Sequence, residues 1–375
     1  MLNIEEIRSY FPVTKNQIYL NNAAQCPLNT FVEKRLLEYT DFAKKFPDKR
    51  PVSRIEVKKL LSGLLGGSPE DYALVSSTGI GLSTVANGYP WKPGDNVVLP
   101  EYEHWNNTYP WLNLKNRGVE VRLIPMTADY RITPEMIAKY VDKNTRIVSV
   151  AAVRFNNGYR TDLAKISKIA HAHQALFVVD GIQAAGVVPL NIEKDGIDIL
   201  AGGCFKWLLG MHGTGYLYVK KELLNIIKPV MPGMFAAVDL PHELNYFPDS
   251  RQYETGTIAY ALYYALTAGL ELLHKIGIPA IYERVLELTN LIIHGLQENK
   301  LSLLTPFNNK EERSAIVSFT TGSIDRNQQL LEQLASENIS ISMRSNYLRI
   351  SPSFYNTEAE MKELIKTTHQ FLKNK

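Results

Sequence analysis

The chain has 375 residues, 45% hydrophobic and 21% charged, enough apolar content for a substantial core in two domains and unlike a disordered or membrane chain. Its 41 basic and 38 acidic residues leave a net charge of +3 with no long basic block, so small molecules rather than nucleic acid are the expected partners. Cys26 and Cys204 alone supply neither a disulfide framework nor a thiolate zinc site, so no metal is expected.

The N-terminus, MLNIEEIRSYFPVTKN, is acidic where a signal peptide is basic. No apolar run approaches membrane-spanning length, and a soluble, cytoplasmic protein is expected. Short β-branched runs then alternate with amphipathic stretches: YALVSS, GLSTVANGY, DNVVLP, VEVRLIP, PEMIAKYV, RIVSVAAV, DLAKISKIAHAH and ALFVVDG. That rhythm predicts an α/β fold with a mostly parallel sheet, its strands buried on both faces. After Thr257 the pattern changes to two long helices, IAYALYYALTAGLELLHKIG and YERVLELTNLIIHGLQ, then short strands and a final helix. A large domain over 14–255 and a smaller α+β domain from 1–13 and 256–375 are expected, with the hinge near Pro248 to Thr257.

In open α/β sheets ligands sit at the carboxyl ends of strands. Lys206 lies in the apolar run DILAGGCFKWLLGMHGTGYLYV, where an ammonium is costly unless paired or lowered in pKa. It is either a lysine snorkelling to water or a desolvated amine that condenses with a carbonyl. SSTG offers helix-start amides, the Thr78 hydroxyl and Gly79 to an anion, although Thr78 serves equally as a plain cap. Asp180 ends the run LFVVD, with Gln183 just beyond, and Asp-Gly is also a simple turn. His104 in PEYEHWNNTYPW is a flat group or a surface histidine. Pyridoxal phosphate needs an amine, a carboxylate for its pyridine nitrogen, a phosphate cradle and a flat neighbour, and Lys206, Asp180, Thr78 with Gly79, and His104 are able to fill those four roles, although each taken singly fits its plain structural role at least as well.

In order and spacing the chain resembles the class V aminotransferase superfamily, the fold-type I pyridoxal phosphate enzymes that include cysteine desulfurases, selenocysteine lyases, kynureninases and isopenicillin N epimerase-like proteins. The resemblance rests on SSTG, EHWNN with PW, FNNGYRTDL, VVDGIQAAG, FKWLLGMHGTGYLYV, YETGT and LRISPSFYNT, and runs from residue 18 to the final helix. It implies a seven-stranded large-domain sheet, Lys206 condensed with the cofactor aldehyde and moving the Cα proton, Asp180 on the pyridine nitrogen and Gln183 on the phenolic oxygen. It further implies His104 stacked on the ring, Thr78 and Gly79 on the phosphate, and Arg349 on the substrate carboxylate. Asn22 and Ala23 fall on a substrate-pocket loop. Gly256 and Thr257 match a segment reaching the neighbouring subunit's phosphate, which implies a homodimer with shared active sites.

Departures redirect the chemistry. The serine and histidine that many desulfurases carry before the lysine are Gly203 and Phe205 here. The family asparagine near the phenolic oxygen aligns to Phe155, leaving Asn156 and Asn157 as substitutes. The desulfurase cysteine is absent, because only Ser345, Asn346, Tyr347 and Leu348 separate Arg344 from Arg349. Without that thiol the expected reaction is C–S β-elimination from cysteine or an S-substituted cysteine, with transamination or epimerisation as the alternatives. A Rossmann-type dinucleotide enzyme lacks its full glycine fingerprint, and a non-catalytic pyridoxal phosphate-binding protein is the remaining alternative.

Overall fold

The computed structural model describes residues 3–127, 130–240 and 243–373. Seven strands form the large sheet: β1 (Tyr72–Val75), β2 (Asn96–Pro100), β3 (Glu120–Ile124), β4 (Thr145–Ala151), β5 (Leu176–Asp180), β6 (Ile199–Gly203) and β7 (Gly215–Val219). They lie in the order β1-β7-β6-β5-β4-β2-β3, with β7 antiparallel to both its neighbours and the other pairs parallel. The expected α/β fold is thus present, and its one reversed strand follows from the chain turning straight back after β6.

Period-two alternation explains why these runs are almost wholly apolar. Ile147 and Val178 join one buried cluster, while Val148, Val150, Phe177 and Val179 join another on the opposite face. Each large side chain buried this way contributes roughly 1.5–3 kcal/mol. Helices α1 (Thr78–Gly88), α2 (Trp105–Leu112) and α3 (Leu163–Ala172) connect strands, each started by a side-chain cap: Ser77, His104 and Asp162.

Two long helices follow, α4 (Tyr260–Ile276) and α5 (Ile278–Glu298), separated by Gly277. A second, four-stranded antiparallel sheet contains β8 (Ser302–Leu303), β9 (Val317–Thr320), β10 (Ser342–Arg344) and β11 (Tyr347–Ile350), in the order β8-β9-β11-β10. Helices α6 (Ile324–Ser336) and α7 (Glu358–Lys373) cover it through Leu330, Leu334, Met361 and Leu364. The segment from Ile18 to Asn22 is tied to this sheet's side: Ile18 and Tyr19 pair with Ile339 and Ser340, and Asn21 bridges Ser351.

Parallel register brings strand ends together. Ala151 of β4 sits opposite Asp180 of β5, which sits opposite Ala201 of β6. The loop after β6 closes as a hairpin onto β7, with the Cys204 N–H donating to Thr214 O at 2.9 Å. Lys206 is carried in that loop, at the carboxyl edge of the sheet.

Candidate functional site

A pocket at this edge is lined by Thr78, His104, Asp180, Gln183, Phe205 and Lys206 among others. Five residues expected from the sequence to act together are therefore neighbours, although they come from four separate stretches of chain.

Local structure fixes each. Thr78 is the first residue of α1, and its hydroxyl is buried without a hydrogen-bond partner. Beside it, a Cβ on Gly79 would lie 3.3 Å from Asn106 Oδ1, so the helix start and Asn106 approach closely. His104 caps α2, its Nδ1 accepting from the Asn106 N–H at 3.2 Å, and its ring meets Phe155 edge-on at 5.3 Å. Asp180 Oδ1 accepts from the Ile182 N–H at 3.0 Å. Gln183 is pinned at both ends, donating to Ala23 O and accepting from Trp207 Nε1, each at 3.0 Å. Gly186, at φ +99°, lets this turn press on the lysine loop, since a Cβ there would sit 2.4 Å from Trp207 O. Leu209 in the same loop adopts φ +62°, a left-handed conformation costing about 1–2 kcal/mol that packing must hold.

Two cations of the site, Lys206 and Arg349, are buried without an acidic partner among the described residues. Lys206 is 7% exposed and, among the described residues, has no hydrogen-bond or ion-pair partner. Burial, with help from Arg349, lowers its pKa to about 7. Burial likewise raises Asp180 to about 7, Glu103 pushing in the same direction and Lys206 opposing. His104 is lowered to about 4 by burial and the nearby Lys206, so its ring is neutral at pH 7. Arg349, 2% exposed on β11, bonds only neutral groups, Ser342 Oγ at 3.3 Å and Phe155 O at 2.8 Å, and burial lowers its pKa to about 9. An amine and a guanidinium held this way are ready for an electrophile and an anion.

Other expected residues lie apart. Asn22 is spent on structure, donating to Ser351 O and accepting from Tyr355 Oη, and Ala23 serves the site through the carbonyl that holds Gln183. Asn157 has both ends of its amide engaged, whereas Asn156 Oδ1 is buried without a partner. Gly256 and Thr257 line a separate open cavity of about 870 Å³ with Ile80, Val230 and Met231. Where a serine and a histidine were missing, Gly203 ends β6 and Phe205 stacks on His212 at 4.1 Å. Both thiols are buried and raised in pKa by that burial, Cys204 to about 12. Between Arg344 and Tyr347, Ser345 and Asn346 take φ +48° and +69°, a two-residue hairpin turn.

Sequence reasoning passed over Glu103, which lines the cavity, and Arg154, which pairs with it. The signal was present for Arg154, a charge inside the apolar run VSVAAVRF just as Lys206 is inside its own.

Residues 48–364 match the family model Aminotransferase class-V. A cysteine desulfurase of Dickeya dadantii is 31% identical over 74% of this chain and 72% of its own length. The apo cysteine desulfurase of Thermococcus onnurineus NA1 superposes with a TM-score of 0.92 at 23% identity, covering 100% of this chain and 99% of the other. The cystine C–S lyase C-DES, solved with its reaction product cysteine persulfide, superposes with a TM-score of 0.87 at 22% identity, covering 96% and 99%.

Proposed function

The chain belongs to the class-V aminotransferase family, a family of pyridoxal phosphate enzymes, and from that premise we propose that it cleaves the Cβ–S bond of a cysteine-type amino acid by β-elimination. The observation that carries the choice of reaction is the two-residue turn at Ser345 and Asn346, which leaves no thiol between Arg344 and Arg349 to accept sulfur. With Cys26 and Cys204 buried as well, the sulfur leaves as a free thiolate.

The donor set fits the cofactor. Lys206 offers the amine and Asp180 the carboxylate for the ring nitrogen, and Gln183, whose Nε2 gives one hydrogen to Ala23 O and keeps the other, lies within the same cavity for the phenolic oxygen. Neutral His104 provides a flat face that adds no repelling charge. Thr78, with its unpartnered buried hydroxyl, and the Gly79 N–H at the helix start suit a phosphate, while the next two amides are taken by Ser77 and Asn156 has a buried, unpartnered Oδ1. Bound there, pyridoxal phosphate supplies an electron sink that acidifies the substrate Cα–H.

The chain's own residues do the rest. Arg349 grips the α-carboxylate, fixing which bond at Cα faces Lys206. The Lys206 amine, lowered to about 7, takes the Cα proton at physiological pH. Asp180 holds the proton at the ring nitrogen. Phe155 and Phe205 wall the cavity and exclude water. The electron pair left at Cα forms the Cα–Cβ double bond as the C–S bond breaks, and the released unsaturated fragment hydrolyses to pyruvate and ammonia.

A homodimer is part of this reading: Gly256, Thr257 and the exposed Ile80, Val230 and Met231 border one open apolar cavity suited to a second copy of the chain. A cytoplasmic setting suits two free thiols, and no helix among the described residues is long and apolar enough to cross a membrane.

The test is the visible spectrum of the purified protein, followed by addition of L-cysteine or an S-substituted cysteine with a coupled assay for pyruvate. A yellow protein that forms pyruvate is expected. Bleaching without pyruvate would replace elimination by transamination or epimerisation.

A further inference from the structure

Glu103 lines the cavity of Lys206, and the reaction outlined above leaves it without a task. Its side chain is 2% exposed and its Oε1 is held from two sides, by the Ala151 N–H at 3.3 Å and Arg154 Nη1 at 3.2 Å. Ala151 is the residue opposite Asp180 in the β4–β5 ladder, so the Glu103 carboxylate is bonded to the backbone of the strand position paired with Asp180. Arg154 is as buried as its partner. Its Nη2 donates to the carbonyls of Glu101 and Tyr102, at 3.0 and 3.1 Å, which stops the guanidinium from swinging away. Tyr102 takes φ +56° in doing so, a left-handed turn that aims the next two residues, Glu103 and His104, into the site.

A buried carboxylate left alone takes up a proton and loses its charge; burial does raise Glu103 above the ordinary glutamate value, and the fixed Arg154 guanidinium and the Ala151 N–H oppose that rise. We infer that Glu103, its negative charge favoured by the adjacent Arg154, is a positioning residue that acts through Asp180 to hold the proton on the cofactor's ring nitrogen. This inference rests on the pyridoxal phosphate reading. Asp180 faces Glu103 from the loop before α2 and Lys206 from the loop after β6, while Arg349 and Arg344 of the smaller sheet add positive charge beyond Lys206 and His104 is neutral. Among the described residues of that inventory, Glu103 is the anionic neighbour that offsets the cations around Asp180. Removing its charge makes the whole site more positive and its protons easier to lose.

Glu103→Gln keeps the shape and the hydrogen-bond acceptor and removes the charge. In the holoenzyme the pH midpoint of the bound cofactor's visible band is expected to fall by about one unit, and kcat about tenfold with KM unchanged, because Arg349 still grips the substrate. The double variant Glu103→Gln with Arg154→Met removes both charges, and its midpoint is expected between that of the single variant and wild type. Wild-type midpoints and kcat in both variants, with only the melting temperature lowered, would make the pair a structural brace and overturn the inference. If the single variant does not fold, the double variant decides: a lowered midpoint supports the role and a wild-type midpoint overturns it. A wild-type protein that binds no pyridoxal phosphate would overturn the cofactor reading and this inference with it, a result distinct from unchanged variants.

Discussion

Two clusters of buried charge in this chain are built on opposite plans. Glu254 is saturated: Arg54 Nη1 lies 2.7 Å from one carboxylate oxygen, Lys58 Nζ lies 2.8 Å from the other, and the Leu74 N–H donates to it as well. Lys206 and Arg349 are just as deeply buried, yet neither has an acidic partner at ion-pair distance among the described residues. The first arrangement answers its own electrostatics and ties α4's approach to the large sheet. The second is incomplete by itself, and buried charges left open in a cleft identify the place where a ligand supplies what is missing.

Substitutions distinguish the two plans by the sign of their effects. The largest is expected at Lys206: replacement by Met lowers turnover by at least about 10³-fold and removes the colour of the bound cofactor. In the cofactor-free protein the same change has a pH signature. Asp180, raised from 3.8 to about 7, contributes stability that is full below its unfolded value and lost as pH rises to about 7. Lys206, lowered from 10.5 to about 7, carries its burial penalty below about 7 and is relieved as pH rises towards 10.5. Stability of the wild-type cofactor-free protein should therefore pass through a minimum near neutrality, and Lys206→Met should flatten the alkaline rise in its urea midpoint. An alkaline rise that survives the substitution would remove Lys206 as its source.

Next in size is Glu254→Ala, which strands the buried Lys58 and deprives the half-buried Arg54 of its acid, and should cost about 3–5 kcal/mol in urea unfolding. A variant as stable as wild type would erase the contrast drawn above. Arg349→Met should do the reverse, leaving the cofactor-free protein as stable or more so while raising KM for amino acids with a free carboxylate by about thirty- to a thousandfold, the equivalent of about 2–4 kcal/mol. Equal losses on carboxylate-free amines would contradict a carboxylate grip. The smallest effect belongs to Thr78→Val. Its hydroxyl has no partner within the chain, so the melting temperature of the cofactor-free protein should hold while affinity for pyridoxal phosphate drops by about 1.5–3 kcal/mol, read as dissociation on dialysis.

What the sequence conveyed follows from how far each signal travels along the chain. Alternation within LFVVD and VSVAAV is local, so the parallel strands were legible, and the strand-end rule then singled out Asp180 and the helix start at Thr78. Lys206 stood out as a lone charge in an apolar run, whereas the roles of Gln183 and His104 came from the resemblance in the order and spacing of the motifs. The pairing of Glu103 with Arg154 spans 51 residues and depends on β2 and β4 lying side by side, which no local pattern encodes. The same holds for Asn22, whose amide is consumed by Ser351 and Tyr355 more than three hundred residues later. A residue type identifies what a side chain is able to do; only the fold reveals whether its capacity has already been used.

The turn at Ser345 and Asn346 also bears on how such enzymes diversify. Arg344 and Tyr347 are already opposite each other in the ladder, so a longer loop inserted between them changes only the closure entropy, which grows by about 0.6 kcal/mol for each doubling of length. A sulfur-accepting arm is thus a detachable accessory. An arm inserted at that one bend leaves the lysine, the arginine and both sheets where they are.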